Sequence, residues 1–104
     1  MIENIEAVFR KFSDEKYDAP PGEGEYLKFK NIECKLATRP DLHAFILLDR
    51  LVPSNYDIVA CAEHDEIWLD VEPDTLAKVA TEEDIRDLVR CGVRLWDYSL
   101  CMFV

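Results

Sequence analysis

Near the start of the chain, Ile2, Ile5, Phe9 and Phe12 recur at helical spacing with Val8 beside them, and Glu3, Glu6, Arg10 and Lys11 fall opposite. This periodicity predicts an amphipathic helix over residues 2–13. Residues 14–25 contain Pro20, Pro21, Gly22 and Gly24 among charged residues, which predicts a flexible loop and the segment expected to move most. Residues 26–36 look extended, but the apolar phase changes from Leu27 and Phe29 to Ile32, Cys34 and Leu36. A bulge near Lys30 and Asn31 would join the two halves into one strand.

Pro40 suits a first helical position, and Leu42, Ala44, Phe45, Ile46, Leu47, Leu48, Leu51 and Val52 cover most of a helix before Pro53 stops it. Such a helix is expected to be largely buried. Residues 57–72 then alternate. With His64 and Asp65 as a two-residue turn, Ala62 pairs with Ile67, Ala60 with Leu69 and Ile58 with Val71, all on one face. The reverse face pairs Cys61 with Trp68, Val59 with Asp70 and Asp57 with Glu72. Like charges opposed at that open end cost stability unless water or a base offsets them.

Residues 73–80 predict a short helical turn. Thr81-Glu82-Glu83-Asp84 fits a capping box, with Asp84 in the place of the usual Glu, and Ile85, Leu88 and Val89 give the following helix a buried stripe that ends at Gly92. Residues 95–104 close with Leu100, Cys101, Met102, Phe103 and Val104, the pattern of a strand covered on both faces. After the first helix the order is strand, helix, hairpin, helix, strand. That order predicts an α+β domain over residues 1–104, with a β-α-β-β-α-β core (ferredoxin-like, split βαβ) over residues 26–104 and helices on one face of an antiparallel sheet. Trp68 reads in two ways, as a partner anchor or as a residue under the N-terminal helix against Ile5, Phe9 or Phe12, the second because that helix needs a surface on which to bury its stripe.

With 104 residues, 49% of them hydrophobic, the chain can bury one core without disulfides or a structural metal. Cys34, Cys61, Cys91 and Cys101 have apolar neighbours and no Cys-x-x-Cys spacing, so they are expected as reduced core thiols. The first helix alternates apolar and charged residues where a leader would be apolar, and no window reaches the ~20 apolar residues of a membrane span. The expected location is the cytoplasm.

Charge sharpens the functional expectation. The chain carries a net −10, and residues 57–87 hold eleven Asp and Glu against only Lys78 and Arg86. Direct binding to nucleic acid or an anionic membrane is excluded as a class, since phosphate contacts require Lys and Arg. Asp70, Glu72 and Asp74 stand at alternate positions, about 6.6 Å apart in a strand, similar to the phosphate repeat of a nucleic-acid strand. Glu82, Glu83, Asp84 and Asp87 continue the series. In charge pattern, though in no sequence motif, the chain resembles acidic DNA-mimic inhibitors.

The expected function is a non-enzymatic interaction module that docks on a basic partner surface, including that of a nucleic-acid-binding protein, as an inhibitor or nucleic-acid mimic. The expected contact residues are Asp57, Trp68, Asp70, Glu72, Asp74, Glu82, Glu83 and Asp87. Against this stands the ordinary role of an acidic face, keeping a small domain solvated. A second reading takes His64, Asp65 and Glu66, beside Glu63, as divalent-metal ligands. Adjacent strand residues point to opposite faces, however, and a polar turn explains the same residues. A third is a homo-oligomeric structural domain. No catalytic residue and no cofactor is expected: no cysteine has an electropositive setting, His43 reads as a packed helix residue, and Gly22, Gly24 and Gly92 do not make a phosphate loop.

Overall fold

The apolar stripe at the start folds as α1, Ile5–Phe12, with Ile5, Val8 and Phe9 buried and Asn4 as its cap, the Asn4 Oδ1 accepting from the Ala7 N–H at 3.1 Å. The computed structural model describes residues 1–13 and 24–103. Apart from Gly24 and Glu25, the loop expected over residues 14–25 lies outside the described residues. Next come α2, Pro40–Leu51, with the proline in its first turn, the hairpin strands β1, Val59–Glu63, and β2, Glu66–Leu69, then α3, Pro73–Val79, and α4, Glu82–Arg90. A second hairpin, β3, Arg94–Trp96, and β4, Ser99–Phe103, follows. No helix among the described residues is long and apolar enough to cross a membrane.

The α+β class and the antiparallel sheet agree with the sequence, but the strand order does not. The four strands run β1-β2-β4-β3, every neighbour antiparallel, so two hairpins meet directly at β2 and β4. The ferredoxin-like order requires a strand from residues 26–36 between them, and no strand forms there. Leu27 takes φ 62°, and a single 3-10 turn follows over Phe29–Asn31, closed by Ile32 N–H donating to Phe29 C=O at 3.1 Å. The change of apolar phase is thus the trace of a turn. This segment lies against α4, with Leu27 N–H donating to Val89 C=O at 3.2 Å.

The expected closing strand over residues 95–104 is also divided. Asp97 and Tyr98 form its turn with φ 50° and 55°, the left-handed pair of a two-residue hairpin, in place of the Asn-Gly or Asp-Gly that usually signals one. The Tyr98 hydroxyl donates to Asp74 Oδ1 at the start of α3, which ties the turn to the helix layer.

In the first hairpin the turn at His64-Asp65 and the pairs Ala62 with Ile67 and Cys61 with Trp68 form as expected. Beyond them Ala60 is an extra residue, so Val59 faces Leu69 instead of Asp70. The bulge moves Asp57 out of direct register with Glu72 and relieves the like-charge opposition. It also separates the two halves of the expected apolar face. Ile67, Leu69 and Val71 are buried, whereas Ala60 and Ala62 are exposed, because β1 stands at the sheet edge beyond the helices.

One core joins Ile5, Val8 and Phe9 of α1, Leu76 and Ala77 of α3, and Ile85, Leu88 and Val89 of α4 to Ile67, Leu69, Leu100 and Met102 of the sheet. On α2 only His43, Ala44 and Leu48 are buried and Leu42 is 46% exposed, so the helix is less covered than its composition suggested.

The ends of α4 follow the sequence closely. Thr81 Oγ1 accepts from the Asp84 N–H, and Asp84 Oδ2 accepts from the Thr81 N–H, completing the capping box. At the other end Gly92 takes φ 98°, with Gly92 N–H donating to Val89 C=O at 2.9 Å and Val93 N–H to Leu88 C=O at 3.0 Å, the paired bonds of a Schellman cap. A Cβ at Gly92 would lie 2.9 Å from Leu27 Cδ2, a contact the exposed Leu27 side chain can yield to, so it is the positive φ that calls for glycine there.

Candidate functional site

Sheet topology decides which acidic residues meet. β2 ends where β1 begins and where the β3–β4 turn lies, so Asp57, Asp70, Glu72, Asp74 and Asp97 gather at one end of the sheet. Asp70 N–H donates to Ile58 C=O at 2.7 Å, fixing Asp57 beside Asp70, and Tyr98 binds Asp74 at the same end. Asp57, Asp70 and Glu72 are exposed, and no ion pair among the described residues engages them. Residues 51–77 contain no Lys or Arg, so this end has no cation of its own segment to fold back on it.

The acids of α4 are arranged differently. Glu82 pairs with Lys11 Nζ at 2.8 Å, and Asp87 lies 3.2 Å from Arg90 Nη1 and 3.8 Å from Arg86 Nε. Asp84 serves the cap, and Glu83 is exposed. The seven acids among the expected contact residues therefore fall into two sets: Asp57, Asp70, Glu72 and Asp74 at the sheet end, and Glu82, Glu83 and Asp87 on α4, where Glu82 and Asp87 are matched by bases.

Trp68 is not under α1. Its neighbours Ile67 and Leu69 face the core, so Trp68 stands half-buried on the opposite face of the sheet, in a cross-strand row with Cys61, the buried Cys101 and Arg94. The same face carries Trp96, 58% exposed, and Phe103, 50% exposed. The Arg94 guanidinium lies 4.9 Å from the Phe103 ring and 6.0 Å from the Trp96 ring, and 3.6 Å from Glu66 Oε1. Sequence reasoning missed this cation–aromatic cluster. Only the turn at Asp97-Tyr98 folds Trp96 and Phe103 onto one face, and Asp-Tyr is a poor turn signal.

Two further expectations change. Cys34 and Cys61 are exposed, Cys34 because its segment is not a strand and Cys61 because β1 is an edge, while Cys91 and Cys101 are buried. Burial, reinforced by Asp87 and Asp41, pushes the Cys91 thiol up to about 12, which rules it out as a thiolate nucleophile at neutral pH. Among the described residues no group of three or more His, Cys, Asp or Glu is placed to hold a metal ion, and Glu66 of the hairpin tip turns to Arg94.

His43 is the buried polar residue of α2, its Nδ1 accepting the Leu36 N–H at 3.0 Å and its ring edge-on to Phe29 at 5.8 Å. Burial holds its pKa below the ordinary value, with Lys35 and Arg50 acting in the same direction and Asp87 against it. The folded protein thus keeps His43 neutral, whereas the unfolded chain protonates near about pH 6.5. The stabilisation is present above that pH and is lost as pH falls through the lower folded value, at up to about 1.4 kcal/mol per pH unit. Urea melts at stepped pH should show this slope in the native protein and not in His43→Gln.

A scan against family models finds no match to this chain, and searches of curated proteins and of solved structures find none either. The class is accordingly given by the fold alone: a small α+β domain of two β-hairpins joined edge to edge, with helices on one face and an Arg-aromatic cluster on the other.

Proposed function

We propose that this protein is an acidic binding module that docks on a basic surface of a partner protein through the end of its sheet. Asp57, Asp70, Glu72 and Asp74 would supply the charge, and the exposed Trp96 and half-buried Trp68 on the sheet face away from the helices the apolar anchors. One observation carries the reading: Asp57, Asp70 and Glu72 stand exposed at one end of the fold in a stretch of 27 residues, 51–77, without a Lys or Arg. Glu82 and Asp87, already paired, contribute long-range field more than contacts. Concentrated charge of one sign accelerates encounter and selects oppositely charged partners, while half-exposed tryptophans are the side chains most enriched at binding hot spots. A partner that itself binds nucleic acid fits the same chemistry, and occupation of its basic groove would inhibit it.

Affinity purification from the host, eluted with a salt gradient, tests the proposal when repeated with Asp70→Lys, Glu72→Lys and Glu83→Lys combined. The bound protein is expected to elute as salt rises and to be absent from the variant column. Equal recovery on both columns would reject the docking surface.

A further inference from the structure

We infer that the free edge of β1 takes up an extended, Lys- or Arg-bearing segment of the partner as a fifth strand. The inference rests on the acidic docking reading and specifies how the partner is held. Among the described residues β1 pairs only with β2, and all five of its residues, Val59–Glu63, are exposed. Among the described residues no strand lies beyond it, so half of its backbone N–H and C=O groups face outward without a ladder partner. The opposite edge is a poorer template, since β3 has three residues, carries Arg94 and packs against α1.

Edge strands of folded proteins are commonly guarded by lysine, by proline or by inward charge. Here the guard is a single bulge at Ala60, near the start of the strand, and Ala60, Cys61 and Ala62 have side chains small enough to admit a close neighbour. The charges around the edge are all of one sign: Asp57 before it, Glu63 and Asp65 after it, and Asp70 and Glu72 beside its start. That arrangement chooses between occupants. Two copies paired antiparallel about Cys61 would set Asp57 of one against Asp65 of the other and bring together two molecules of net −10, so a second copy is repelled. A strand with Lys or Arg at alternate positions meets carboxylates at both ends of the edge while its backbone completes the ladder.

The test is an NMR titration of the full chain with a short synthetic peptide of alternating Lys and Val, compared with the same peptide N-methylated at its central backbone nitrogens. Strand addition predicts amide shifts centred on residues 59–63, slower hydrogen exchange there, and affinity lower by on the order of tenfold for the N-methylated peptide. Equal affinity for both peptides, with shifts confined to the region of Asp70 and Glu72, would overturn strand addition and leave acidic docking standing. If neither peptide binds at low salt, both readings fall. A doubled mass in light scattering, with the β1 amides protected before any peptide is added, would assign the edge to a second copy and overturn the inference equally.

Discussion

Leu88→Ala is expected to remove about 3–4 kcal/mol of stability. Leu88 is fully buried, and it sits where two structural requirements coincide. Its side chain joins the core that unites α1, α3, α4 and the sheet, while its carbonyl accepts from Val93 in the cap that turns the chain into β3. Val93 is also fully buried, so the cavity left by alanine would be walled by residues held in place by the cap and unable to collapse inward. For a domain of this size, with total stability of about 5–15 kcal/mol, that is a large share, and the melting temperature should fall by roughly 15 °C or more. Calorimetry gives the number directly. A loss under about 1 kcal/mol would mean the core is more plastic than a close-packed interior allows.

Arg90→Met should cost about 2–3 kcal/mol, and its signature should be local. Arg90 Nε donates to Glu25 Oε2 at 2.9 Å, and Nη1 donates to Asp87 Oδ1 at 3.2 Å and to Asn31 C=O at 3.3 Å. One guanidinium with 11% of its side chain exposed thus holds residues 25–31 against α4. Methionine preserves the apolar stem and removes every donor, leaving Glu25 without its base. Hydrogen exchange should accelerate at Leu27, Asn31 and Ile32, whose amides are bonded within or from this segment, and stay slow in β2 and β4. The hydrogen bond from Arg90 also holds the Glu25 carboxyl below its usual range. Because the folded value is the lower one, this stabilisation is complete above the unfolded carboxylate range and is lost as pH falls through the folded pKa. Arg90→Met should reduce that acid-side slope, Lys28 and Arg86 remaining as weaker influences on Glu25.

The sequence was most informative wherever one local rule determined the outcome. Proline at the head of α2, the Thr81–Asp84 box, Gly92 and the His64-Asp65 turn each satisfy a nearby backbone need, and each was found in place. Errors arose where local signals were ambiguous and packing decided. Residues 26–36 carry a strand-like composition, but Arg90 and Val89 draw them onto α4 as turns. Asp97 and Tyr98 read as strand from sequence because a tyrosine with positive φ is rare, and Tyr98 is held there by a carboxylate from α3 that no window around residue 98 contains. The acidic patch was legible as a charge count. Its division between a sheet end without ion pairs and a helix with Glu82 and Asp87 paired depends on Lys11 and Arg90, one distant in the chain and the other just outside the stretch.

The edge-to-edge meeting of the two hairpins bears on how this protein forms. Each hairpin closes a two-residue turn and can zip on its own, as can the helices between them. The seam where Leu69 faces Leu100 cannot, since its flanks are joined only through the whole α3–α4 connection. Entropy of ring closure is concentrated at that one join, and it falls once α3 and α4 shorten the span. Assembly of the sheet is in this sense gated by its helices, although no helix contributes a hydrogen bond to its ladder.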